Sequence, residues 1–164
     1  NQPGESGNSA TRSVVRAAPD GYTLLMCGPV NTINSTLFEG LDFNFERDIA
    51  PVASLWRVPL VIEVHPSVPV RTIPSLIDYA KANPGKLSWG TAGVGSYGHL
   101  LCESFKLTAG IDILHVPYRG GGPALTDLLG GQVQAYFGTS ASTIEYVRTE
   151  KVRALVRTKT GLSR

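Results

Sequence analysis

From Val70 to Val156 the chain switches regularly between amphipathic stretches of helical period and short apolar runs, with glycine or proline at the breaks. That alternation constrains the fold more than any other feature, because parallel strands can be joined only through crossover connections, usually helical. Ile73, Leu76, Ile77 and Ala80 share one helix face that stops at Asn83-Pro84-Gly85, and a strand Leu87–Gly90 follows. A second helix is predicted from Ser96 to Thr108, with Leu100, Leu101 and Phe105 as its apolar stripe and Gly110 closing it. Next come a strand Ile113–Val116, a short helix opened by Gly122-Pro123 with Leu125, Leu128 and Leu129 buried, a strand Val133–Phe137, a helix Thr143–Thr149 and a strand Val152–Val156. The pattern is α/β, with right-handed crossovers and a mainly parallel sheet covered on both faces. Such sheets bind ligands at the carboxyl ends of their strands, which points to the loops Gly28–Asn34, Gly90–Gly98, Tyr118–Gly122 and Gly138–Ser142.

Upstream the pattern is less regular. Residues up to about Arg12 are polar and expected to be poorly ordered, with SVVRAA as the end of a helix before Pro19. A turn at Pro19-Asp20-Gly21 feeds a predicted buried strand, Tyr22–Cys27, and a short helix follows from Ile33 to Phe38. Two further β-rich pieces, Ile49–Trp56 and Leu60–Val64, flank a break at Pro59 and read as a crossing region. A length of 164 residues holds one ordinary domain or parts of two small ones. The net charge of +2 is spread along the chain, which argues against a nucleic-acid partner. No apolar run approaches the roughly 18 to 20 residues that span a bilayer, so membrane insertion is not expected. No charged start followed by an apolar stretch marks a signal peptide in this sequence. Cys27 and Cys102 are too few for a disulfide framework and are expected to be buried small hydrophobes.

The loop Gly90–Gly98 is the richest in chemical possibility. Gly90, Gly93, Gly95 and Gly98 let the backbone approach a ligand, and the N-terminus of the following helix attracts an anion without a basic side chain. The plain alternative is a tight turn with Ser96 as an N-cap. Gly93-Val94-Gly95-Ser96-Tyr97-Gly98 also matches the dinucleotide fingerprint, which keeps a nucleotide-dependent enzyme as a second reading. That fingerprint needs an acidic residue at the far end of the next strand, whereas Asp112 precedes the strand and Pro117-Tyr118-Arg119 ends it; only Arg119 could meet a ribose phosphate. His99 and Glu103 have the spacing of metal ligands on a helix, but no further ligand is evident, so no metal is assigned. His65 and His115, near or within strands, read as structural. With no nucleophile elbow, Walker loop, Ser-His-Asp order or carboxylate pair, the pattern favours a binding protein over an enzyme, with no cofactor.

Several segments then carry a resemblance. APDGYTLLM, DIAPVASL, HPSVPVRTIPSLIDYAKANPGKLSWGTAGVGSYGHL, HVPYRGGGPALTDLLGGQVQAYF and KVRALV, in that order, resemble the substrate-binding proteins of tripartite tricarboxylate transporters, the Bug or TctC-like family. The resemblance implies a periplasmic-binding-protein-like fold of the type II, Venus-flytrap kind, here incomplete at both ends: residues 1–58 a partial lobe one with a crossing strand, residues 59–164 lobe two without its C-terminal continuation. It further implies a periplasmic receptor that closes on a small carboxylate and serves a membrane permease. By the same resemblance Gly28, Asn31 and Asn34 form the lobe-one ligand loop, Gly93, Gly95, Ser96, Tyr97 and His99 the lobe-two loop, with Tyr118 and Thr139 at neighbouring strand ends. Two departures stand out. Gly138 occupies a place where many relatives have an acidic residue, and Pro29 removes one backbone donor. A fragment of such a receptor could also fold without binding a ligand, or form part of a swapped dimer.

Overall fold

The computed structural model describes residues 5–55, 57 and 59–157. Two compact units emerge: one holds the described residues up to Leu55 together with Val94–Tyr97, the other the described residues from Arg57 to Gly93 and from Gly98 onward.

The first unit is helical among its described residues. A 3-10 turn, Glu5–Gly7, leads into α1 (Asn8–Val15), followed by α2 (Pro29–Leu37) and the single turn α3 (Phe45–Asp48). Order therefore begins earlier than the polar composition suggests. The reason is polar packing: Asn31 donates to the Thr11 hydroxyl at 3.0 Å, and Asn34 donates to the Asn8 side chain and the Ser6 carbonyl, both at 2.9 Å. All four side chains on α1 and α2 are buried, so these bonds are made away from water, where an unpaired amide would be costly. Arg12 and Arg16 both pair with Asp42 at 2.7 Å.

The predicted strand Tyr22–Cys27 is not formed. The segment has no ladder partner among the described residues, and Tyr22, Leu24 and Met26 are 93%, 69% and 71% exposed. Cys27 is likewise exposed rather than buried. The piece Ile49–Trp56 shows the same outcome, with Val52 and Leu55 exposed; Trp56 itself lies outside the described residues. A strand exists only through its neighbour, so a sequence of strand character without one remains an open ribbon.

The second unit is a five-stranded sheet in the order β3-β2-β4-β1-β5. Its strands are β1 (Leu60–Val64), β2 (Ser88–Thr91), β3 (Leu114–Pro117), β4 (Ala135–Thr139) and β5 (Arg153–Arg157). The intervening helices are α4 (Ile73–Ala82), α5 (Tyr97–Ala109), α6 (Gly121–Leu129) and α7 (Ser140–Arg148). β2 pairs in parallel with β3 and β4, whereas β1 runs antiparallel to both its neighbours, β4 and β5. The sheet is thus mixed: four strands share the direction expected of a parallel sheet, and the reversed β1 is inserted between β4 and β5.

Each face has its own core. On one, Ile62, Val64, Leu76, Leu87, Cys102, Ile113 and Phe137 pack around Trp89, which stacks on Phe137 at 4.7 Å and meets the edge of Phe105 at 5.6 Å. On the other, Ala124 and Leu128 of α6 join Val133, Tyr136 and Val152. α4 starts where Thr72 accepts from the Ser75 N–H at 3.2 Å. One expectation for α5 changes: Leu100 is 43% exposed, and the buried face runs through Leu101, Cys102 and Phe105. At 3.6 residues per turn Leu100 lies well off the line joining Leu101 and Phe105.

Candidate functional site at the strand ends

β2, β3 and β4 run in parallel and end side by side at Thr91, Pro117 and Thr139. α5, which follows β2, contributes Cys102 to one face, whereas α6, which carries the chain from β3 past β2 to β4, packs on the other. The chain therefore changes sides next to β2, the position where open α/β sheets form a crevice at their carboxyl ends.

Thr91 is completely buried at the tip of β2 and anchors this edge. Its hydroxyl lies 2.7 Å from His115 Nε2 on β3 and accepts from the Gly93 N–H at 3.3 Å. Gly93 has φ +125°, and a Cβ there would stand 2.9 Å from the Tyr118 carbonyl oxygen, so both conformation and space exclude a side chain. Gly98 seats α5 against the sheet, its Cβ position only 3.5 Å from the Phe137 Cβ. Gly95, with φ +77°, packs inside the first unit, where a Cβ would meet Leu37 Cδ2 at 2.9 Å and Asn34 Oδ1 at 3.2 Å. Ser96 is half-buried and Tyr97 is exposed.

His99, in the first turn of α5, stacks on His115 with ring centroids 4.3 Å apart. Burial and the neighbouring His99 both hold the His115 imidazole below its ordinary pKa. Glu103 lies one turn on, and ligating atoms of His99, Glu103 and His115 all fall within 4.8 Å of one another. Cys102 is not poised for chemistry, since burial pushes its thiol up to about 12.

The remaining sequence candidates have defined local partners. Tyr118 donates its hydroxyl to Asp127 Oδ2 on α6 at 2.6 Å, and burial with that acidic neighbour pushes the phenol up to about 12. Thr139 stands at the N-cap position of α7 and its hydroxyl meets Ser142 Oγ at 2.8 Å. In the first unit, Gly28 caps α2 and donates its N–H to Asn31 Oδ1 at 2.9 Å. Asn31 and Asn34 are helical residues with their amide N–H groups committed to α1 and the turn before it.

Two residues are singled out only by the structure. His115 joins His99 because β3 pairs with β2 in the register Trp89↔His115. Glu63, in the middle of β1, is completely buried, and neither carboxyl oxygen has a hydrogen-bond partner among the described residues. Burial raises its pKa to about 7, while the Thr143 hydroxyl, which opposes that shift, is itself donated to the Thr139 carbonyl at 3.0 Å. A Cβ at Gly138 would lie 2.8 Å from both Glu63 oxygens and from Thr143 Cγ2, so the glycine noted as a departure leaves room for a carboxyl from the adjacent strand. A single glutamate inside the apolar run LVIEV is the sequence signal that could have drawn attention to it.

The family model for the tripartite tricarboxylate transporter family receptor, TctC, matches residues 1–162. The chain belongs to that family. Among its relatives, protein BugT of Bordetella pertussis is 35% identical over 158 residues, which cover 94% of this chain and 48% of BugT. Among solved structures, R. palustris Rpa4515 with adipate superposes with a TM-score of 0.86 at 34% identity, covering 97% of this chain and 54% of that one. MatC (Rpa3494) from Rhodopseudomonas palustris with bound malate gives 0.82 at 30% identity, over 96% and 54%. This TctC-family chain thus has the periplasmic-binding-protein-like α/β fold that its sequence predicts, and it spans about half the length of the relatives it matches. The family is one of solute-binding receptors rather than enzymes. Among the described residues no helix is long and apolar enough to cross a membrane.

Proposed function

We propose that this chain is part of a periplasmic solute receptor that binds a small carboxylate-bearing molecule, delivers it to the membrane permease of a tripartite tricarboxylate-type transporter, and catalyses no reaction. The observation that carries the reading is the loop from Thr91 to the first turn of α5, at the point where the chain changes sides of the sheet. Gly93 is held at positive φ against the Tyr118 backbone, and no lysine or arginine occurs between Thr91 and His99. Charge compensation for an anion there falls to backbone amides and the α5 dipole. Relatives that hold adipate and malate support the ligand class.

Within this reading Gly93, Gly95, Ser96, Tyr97 and His99 form one ligand loop, although its Val94–Tyr97 stretch groups with the first unit and not with residues 59–164, the expected lobe two. Residues 1–58 belong to lobe one, where Asn31 and Asn34 brace α2 and α1 behind Gly28. Tyr118 and Thr139 shape the neighbouring strand ends. The dinucleotide reading is disfavoured because β3 ends at Pro117 and is followed by Tyr118 and Arg119, with no carboxylate at that strand end to hold a ribose.

Calorimetric titration of the 164-residue chain with adipate, malate, citrate, an aromatic acid and glutamate tests the proposal. Saturable heat with at least one of them is expected. Silence across the panel refutes carboxylate binding by this chain, and a melting-temperature rise with a nicotinamide or flavin dinucleotide instead refutes the receptor reading.

A further inference from the structure

We propose that His99, Glu103 and His115 form a binding site for a divalent transition-metal ion of the zinc type, at the α5–β3 flank of the sheet. His99 and Glu103 are four residues apart on α5, so both project from one side of the helix. β3 brings His115 beneath them, and the ligating atoms of the three lie within 4.8 Å of one another. Two imidazoles and a carboxylate are the donor set that borderline cations such as Zn²⁺ prefer over Mg²⁺ or Ca²⁺. With three protein ligands such a site keeps a coordination position for water or an exogenous group.

The two imidazoles stack with their planes 22° apart, so an ion has to turn one ring out of the stack to be reached by both. One ring nitrogen of His115 lies 2.7 Å from the hydroxyl of the fully buried Thr91. Ligating histidines ordinarily have such an outer partner, which fixes the orientation of the ring. All three candidate ligands are half-buried, so an ion is partly shielded yet reachable from solvent. Lys106 is the competing cation: its Nζ lies 3.1 Å from Glu103 Oε1, and a metal has to share or displace it. The proposal does not rest on the solute reading, and it needs no residue of the first unit.

The test is zinc calorimetry and cobalt absorption spectroscopy on the tag-free 164-residue chain carrying C27S, since Cys27 is an exposed thiol that could bind zinc by itself. The buffer contains no carboxylate, so the outcome is independent of the solute test. One zinc per chain and visible cobalt bands of a low-coordinate site are expected. H115A and E103Q should each weaken zinc by at least about tenfold, the scale of loss even for outer-shell changes. K106A should tighten it about two- to fivefold, the worth of a surface ion pair. H65Q, which alters the third histidine of the chain, should change nothing. Thermal melts identify a folding defect in H115A, and E103Q, at a side chain 40% exposed, then decides. No binding up to millimolar metal, or binding that E103Q leaves unaltered, overturns the proposal.

Discussion

Raising the pH should destabilise this chain through Glu63. The carboxyl is completely buried with both oxygens unpartnered among the described residues, and burial raises its pKa from an ordinary 4.5 to about 7. Between those values the folded chain keeps a proton that the unfolded chain has lost. The resulting stabilisation is fully present below pH 4.5 and disappears as pH rises through 7. At 1.36 kcal/mol per pH unit, that interval corresponds to about 3 kcal/mol, a large fraction of the 5–15 kcal/mol that holds a typical domain. An opposing contribution comes from His115, held below its ordinary pKa by burial, while Asp42 and Asp48, held low by arginine partners, act only below their ordinary 3.8 and so outside this range. The comparison must therefore be made against E63Q, which has no proton to lose. Urea unfolding from pH 4.5 to 8.5 should show the wild-type curve falling relative to E63Q by about 3 kcal/mol, with the change centred between pH 5 and 7. An infrared carbonyl band of a protonated acid, present at pH 6 and missing in E63Q, would identify the group directly. A wild-type-minus-E63Q difference that does not vary with pH would refute the argument, because it would mean that Glu63 is ionised in the fold.

Other outcomes follow from the same geometry. G138A should cost about 1–3 kcal/mol in chemical denaturation, since its methyl lands 2.8 Å from Glu63 and Thr143; E63A should recover part of that loss in the double variant. G93A forces a side chain into positive φ at 2.9 Å from a backbone oxygen, and should lower stability by about 1–3 kcal/mol and abolish whatever carboxylate binding calorimetry detects. Tyr22, Leu24 and Met26 offer exposed apolar side chains on backbone that joins no ladder among the described residues. Light scattering should show concentration-dependent association that L24S/M26S reduces; equal association in both chains would dismiss this ribbon as the cause.

Helices α4, α5 and α6 lie where local spacing of apolar residues and the Asn83, Gly110 and Gly130 stops place them, because a helix is closed by bonds within its own few turns, whereas α7 starts at Ser140, three residues before the expected Thr143. Strands β2, β3 and β4 were legible for a related reason: each lies between two such helices. Strand character failed as a guide at Tyr22–Cys27 and in the described part of Ile49–Trp56, where composition is right but no neighbour among the described residues supplies the ladder.

The site divides in the same way. Gly93 and Gly95 were visible in the sequence as a loop that brings backbone close to something, and positive φ at both gives that reading its physical content. His99 and Glu103 were visible as a helical pair. What no local pattern could supply was His115, which reaches them only through the parallel register of β3 on β2, or the burial of Glu63 over Gly138, which needs the antiparallel pairing of β1 with β4. The sequence by itself determined the alternation of elements and the glycine-rich loop, since both are written in contacts a few residues apart. Only the tertiary structure decided which side chains share a site and which carboxyl is stripped of water, since register and burial are set by strands dozens of residues apart.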